Sequence, residues 1–138
     1  MKDSLMVGTK HFSKLEIDKR RTISFMGEGL RVYSTPSLVL DLERTCRVLL
    51  LDHHDAGEDS VGARVEVDHL SPTLLGQFVT VEAVVVELAL PRVTFEVEVK
   101  DELDIVGRAK HVRFIVDKVR QKARLDKKAA HVKAAAGN

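Results

Sequence analysis

Ser34-Thr35-Pro36-Ser37-Leu38-Val39-Leu40-Asp41-Leu42-Glu43-Arg44-Thr45-Cys46 is the stretch around which the rest of the chain has to be arranged. It opens as a helix opens. Thr35 offers a capping hydroxyl, and Pro36 stands at the first helical position, where its missing N–H costs nothing. Leu38, Leu42, Cys46 and Leu49 recur at three- and four-residue spacing, while Val39, Leu40, Val48, Leu50 and Leu51 fill other faces. A helix apolar on nearly every side belongs in the middle of a fold. Asp41 and Glu43 lie inside that run, and an isolated buried carboxylate is expensive. Either these acids reach solvent at an edge, or at least one is kept for chemistry.

The helix predicted over Pro36 to Leu51 stops at Asp52-His53-His54-Asp55-Ala56-Gly57, with histidines at its C-terminal end and a glycine just beyond. Upstream, His11-Phe12 and Leu15-Glu16-Ile17-Asp18 alternate apolar and polar residues, as a first strand does. Arg20 to Leu30 holds Gly27 and Gly29 and few anchors, which predicts a loop or short lid. Downstream of Gly62 the period changes to two. Ala63, Val65, Val67 and His69 alternate with charged residues until Ser71-Pro72. Gln77 to Leu90 is a long strand with Val79, Val81, Ala83, Val85, Leu88 and Leu90 inward. After a turn at Pro91-Arg92, Val93, Phe95, Val97 and Val99 alternate again, and Ile105 to Val116 makes a further strand. The layout is α+β: one long helix wrapped by a curved antiparallel sheet whose last strands follow one another in sequence. Such a sheet keeps an exposed edge, and pairing with a second copy removes it, so a homodimer is expected.

A chain of 138 residues, 44% apolar and 31% charged, is one globular domain over residues 1–138. Its formal net charge of +1 gives the body no reason to bind nucleic acid. Residues 118–138 form a basic C-terminal helix or tail, carrying Lys118, Arg120, Lys122, Arg124, Lys127, Lys128 and Lys133. It reads as a solvated surface helix, with a docking face for a phosphorylated ligand or a nucleic-acid arm as sharper alternatives. Cys46 is the single cysteine, so no internal disulfide forms, and its place in the apolar helix suits a core residue in a reducing compartment. Neither a membrane-spanning apolar run nor a signal-peptide pattern is present, which points to the cytoplasm.

Three polar residues interrupt the apolar pattern: Thr35 at the helix start, Glu43 within it, and His69 at the end of a strand. A hydroxyl, a carboxylate and an imidazole are the parts of a hydrolytic site, although a cap and a satisfied structural histidine explain two of them equally well. Thr35 and Glu43 are eight residues apart, or ~12 Å along a helix. They therefore flank a ligand, address it with His69 between them, or act across a subunit boundary. Free N–H groups at the helix start also suit the oxygen of a polarised thioester carbonyl. Asp52-His53-His54-Asp55 invites a metal reading, but neighbouring positions rarely converge on one ion, so no metal and no cofactor are expected.

Together these residues resemble the hotdog-fold thioesterases, and most closely the fluoroacetyl-CoA thioesterase branch. The likeness runs from Met1-Lys2-Asp3 and Val7-Gly8 through the Thr35–Cys46 helix, Gly62, Val65-Val67-His69, Pro72, Gly76 and Val79-Thr80-Val81. It ends in Ile105-Val106-Gly107 and His111-Val112-Arg113. The spacing of Thr35, Glu43 and His69 matches the catalytic set of that branch. The resemblance implies a homodimer with sites near the subunit interface and an acyl-CoA substrate. Thr35 would polarise the thioester, Glu43 act as nucleophile or general base, and His69 activate water or protonate the leaving thiolate. Gly62 and Pro36 would be substrate-binding positions. His111 and Arg113 match a His-x-Arg of the branch, read here as structural. In place of an aromatic lid this chain has Phe25-Met26-Gly27-Glu28-Gly29-Leu30, a looser segment that implies a general small-acyl thioesterase. The competing expectations are a non-catalytic hotdog module that binds acyl-CoA or another apolar ligand, and a hotdog hydratase.

Overall fold

Helix α1 runs from Thr35 to Leu51 in the computed structural model, which describes residues 1–137. Its cap is Ser34, not Thr35: the Ser34 hydroxyl accepts the Ser37 N–H at 3.2 Å. Both residues carry hydroxyls ahead of Pro36, and the chain turns helical one residue earlier than expected. Leu38, Leu42, Cys46, Leu49 and Leu50 form the buried stripe of α1. Leu40, Val48 and Leu51 remain exposed, contrary to the expectation of a helix buried all round, because the sheet covers only one side of it.

The sheet contains β1 (Lys10–Glu16), β4 (Glu58–His69), β5 (Phe78–Ala89), β6 (Arg92–Lys100) and β7 (Ile105–Asp117). A separate hairpin pairs β2 (Thr22–Ile23) with β3 (Val32–Tyr33), and the lid segment 24–31 lies between its strands. Period-two patterning places Val79, Val81, Ala83 and Val85 of β5, and Val93, Phe95, Val97 and Val99 of β6, against α1 in one core. A bulge between Val85 and Glu87 shifts the parity, so Leu88 packs on the core. Leu90 lies beyond the strand and is exposed, not inward.

Strand order is β1-β5-β6-β7-β4, all neighbours antiparallel. Only β5, β6 and β7 follow one another. β4 does not adjoin β5 as expected: it pairs along its whole length with β7 and forms the far edge. β4 also begins at Glu58, earlier than predicted, because Gly62 lies inside the strand at a bulge and does not precede it. Beyond β7, Asp117 caps α2 (Lys118–Ala136) by accepting the Arg120 N–H at 3.0 Å. No residue of α2 is buried, as expected of the basic tail; Asn138, its last residue, lies outside the described residues. Among the described residues, no helix is long and apolar enough to cross a membrane.

Candidate active site

Thr35 heads α1 and His69 closes β4, and the fold brings them together: Thr35 Oγ1 and His69 Nδ1 share a 2.8 Å hydrogen bond. The other ring nitrogen, Nε2, is buried and has no protein partner among the described residues. Burial lowers the His69 pKa below its usual 6.5, so the ring is neutral at pH 7. Tyr33 meets the imidazole edge-on, with ring centroids 6.0 Å apart. Behind Tyr33, its hydroxyl donates to Asp41 Oδ2 at 2.6 Å, and Arg21 Nε donates to the same carboxylate oxygen at 3.0 Å. Arg21 is held in turn by Asp18. Asp41 is thus the buried acid of α1, only 3% exposed, and its ion pair and tyrosine explain how the fold tolerates it. Through Tyr33 it braces the wall on which His69 stands.

Glu43 takes the other course. Its side chain is 37% exposed and approaches Arg113 Nη1 at 3.7 Å. Arg113 is buried and tightly held, donating from Nε to Ser60 Oγ at 2.8 Å and from Nη2 to the Ser60 carbonyl at 2.9 Å. His111 donates from Nδ1 to the Arg64 carbonyl at 2.8 Å, which leaves its Nε2 to accept Arg113 Nη1 at 3.2 Å. Burial lowers the His111 pKa, in keeping with that neutral tautomer. The carboxylate of Glu43 rests on the backbone of Gly62: a Cβ built there comes within 2.9 Å of Oε2. The β4 bulge at Gly62 makes this close approach, so any side chain there would displace the Glu43 carboxylate, and the torsion angles impose no demand for glycine.

The predicted site residues therefore form two clusters. Thr35, Pro36 and His69 lie at one end of β4, and Glu43 and Gly62 at the other. Gly62 and His69 are seven positions apart along β4, roughly 20 Å, so one chain does not bring the three chemical groups together. Pro36 occupies the second helical position and is exposed. The helix start has fewer free donors than expected, because Ser34 takes the Ser37 N–H through its hydroxyl and the Leu38 N–H through its carbonyl. Pro36 has none, and the Thr35 N–H is left. Cys46 is buried at the core, and its thiol is pushed up to about 12, unsuited to a nucleophile. His53 Nδ1 bonds Ser4 Oγ at 2.8 Å, away from its neighbour His54. Sequence patterning did not reveal Tyr33, Arg21 and Ser60; the shared parity of His111 and Arg113 was the one available signal for the group behind Glu43.

Comparison with known proteins gives this geometry a context. The sequence model of a family described as fluoroacetyl-CoA-specific thioesterase matches residues 17–119. The fluoroacetyl-CoA thioesterase of Streptantibioticus cattleyicolor is 27% identical over 135 residues, covering 88% of this chain and 97% of that protein. A thioesterase superfamily member from Thermus thermophilus superposes with a TM-score of 0.87 at 26% identity, covering 94% and 96% of the two chains. A hot-dog-like protein from Thermanaerovibrio acidaminovorans shares the fold, with a TM-score of 0.82 at 24% identity over 88% and 91%. The chain belongs to the fluoroacetyl-CoA-specific thioesterase family, a hotdog-fold family of thioester hydrolases.

Proposed function

We propose that this chain is a homodimeric, cytoplasmic acyl-CoA thioesterase that releases a small acid and free coenzyme A, acting as one domain. The hydrogen bond between Thr35 and His69 carries the reading. It sets a hydroxyl and a neutral imidazole side by side at the helix start, with Nε2 free to exchange a proton. Thr35 polarises the thioester carbonyl beside its own N–H, and Pro36 and Gly62 line the path of the acyl group. Glu43 supplies the carboxylate, as nucleophile or as the base that takes a proton from water. Oxygen from water adds to the carbonyl carbon as its proton passes to Glu43, the C–S bond breaks, and that proton is relayed through His69 Nε2 to the departing thiolate. The products are the acid and the thiol.

Glu43 completes this set from a second copy. β4 is a free edge, and antiparallel pairing with a partner's β4 about a point midway between Gly62 and His69 places one chain's Glu43 end beside the other's Thr35–His69 end. Arg113, 3.7 Å away, aims the Glu43 carboxylate, a positioning role beyond the structural one expected from sequence.

The test is free-thiol release from a panel of short acyl-CoAs. Glu43→Ala and His69→Ala are each expected to lower kcat by about 10²–10⁴ with unchanged thermal unfolding. Mixing the two inactive variants should restore activity, because a mixed dimer contains one intact pair of clusters. Full activity in either variant removes the mechanism. Acyl-CoA binding with no thiol release from any substrate favours a ligand-binding module.

A further inference from the structure

On the face of α1 turned away from Thr35, a cavity of about 200 Å³ opens between the helix and the turn that follows β1. Arg20, Arg21, Ser37, Leu40, Asp41 and Arg44 line it. Arg21 is already engaged, clamped by Asp18 and Asp41. Arg20 and Arg44 are not. Outside α2, every other arginine of the described residues reaches a carboxylate. The two without one line the same cavity. Three guanidinium groups against two aspartates, both spent on Arg21, leave an excess of positive charge at Arg20 and Arg44, and the Ser37 hydroxyl adds a donor in the first turn of α1. Arginine forks match phosphate oxygens in pairs, and an exposed arginine cluster of this kind is stabilised by an anion.

We propose that this cavity binds a phosphate of coenzyme A, the 3′-phosphate or the diphosphate, through Arg20 and Arg44. The inference rests on the thioesterase reading for its choice of ligand. The cavity and the Thr35–His69 pair lie on opposite faces of one helix end. A pantetheine arm has to round about one helix diameter, ~10–12 Å, to join them, which it does when extended. Asp41 links the two places: it bonds Tyr33 behind His69 on one side and Arg21 at the cavity on the other. Phosphate binding thereby registers the acyl group against the site instead of merely raising affinity.

Free coenzyme A, dephospho-coenzyme A and pantetheine are titrated calorimetrically into wild type, Arg20→Ala, Arg44→Ala and the double variant. Their acetyl thioesters are assayed in parallel. Both arginines are exposed, so the variants are expected to fold, and thermal unfolding checks this. Each substitution should weaken coenzyme A binding about tenfold and lower the kcat/KM preference for acetyl-CoA over acetyl-pantetheine equally. Loss of the effect with dephospho-coenzyme A identifies the 3′-phosphate; its retention identifies the diphosphate. Lys127→Ala/Lys128→Ala on α2 is the control for general charge. Equal loss in that control, undiminished coenzyme A binding by the double variant, or equal wild-type affinity for pantetheine overturns the proposal. Glu43-dependent hydrolysis without arginine dependence leaves the thioesterase reading standing alone. Arginine-dependent binding without hydrolysis leaves the phosphate site standing alone.

Discussion

Asp41 and Glu43 sit two residues apart on α1 and meet opposite fates. Asp41 is buried on an arginine and a tyrosine; Glu43 is partly open and rests on a glycine backbone. Substitution separates them. Asp41→Ala strands Arg21 and the Tyr33 hydroxyl and is expected to cost about 3–5 kcal/mol in urea unfolding. Gly62→Ala forces the Glu43 carboxylate aside and should abolish most thiol release at near-normal stability, which parallel activity and unfolding measurements will show. The expected acid limb of kcat/KM lies below pH 6.5, since His69 must be neutral and burial depresses its pKa. From sequence, both acids lay inside an apolar run, and Glu43 alone was a candidate for the site. Their difference was illegible because it is set by Arg21 and Tyr33, which lie on other elements ahead of α1 and carry no periodic signal that they converge on Asp41. Thr35, Glu43 and His69 were legible as interruptions of an apolar pattern, while the buried Arg113 behind Glu43 looked structural.

At the scale of elements, periodicity carried the strands and the helix: the inward residues of β5 and β6 are the alternating valines, and the stripe of α1 is its three-four repeat. Pairing partners have no period. The place of β4 beside β7 follows from the continuous ladder that runs from Glu58–Asp117 to His69–Gly107, and not from any pattern within β4. Helix ends were legible to one residue, the cap falling on Ser34 in place of the expected Thr35. Ser34→Ala is therefore expected to cost about 1 kcal/mol of stability, whereas Thr35→Ala should spare stability and impair turnover. Helix α2 has no buried residue, so ending the chain at Asp117 should change the unfolding free energy by no more than about 0.5 kcal/mol. A larger loss in denaturant titration would mean that α2 packs on something.

For the molecule as a whole, burial lowers the pKa of His54, His69 and His111 together. The unfolded histidines bind protons near pH 6.5 and the folded ones only at lower pH, so between those values the unfolded chain holds more protons. Their contribution to stability is full above about pH 6.5 and is lost as the pH falls, and the unfolding temperature should drop between pH 7 and pH 5. The free edge of β4, with Glu43 at one end and His69 at the other, also bears on kinetics. If the active centre is divided between two chains as proposed, a lone chain has none, and turnover per chain becomes a function of total protein concentration. Dilution below the dissociation constant of the pair should yield a total rate that falls with the square of the concentration and a lag on re-concentration, the signature of an enzyme that must first find itself.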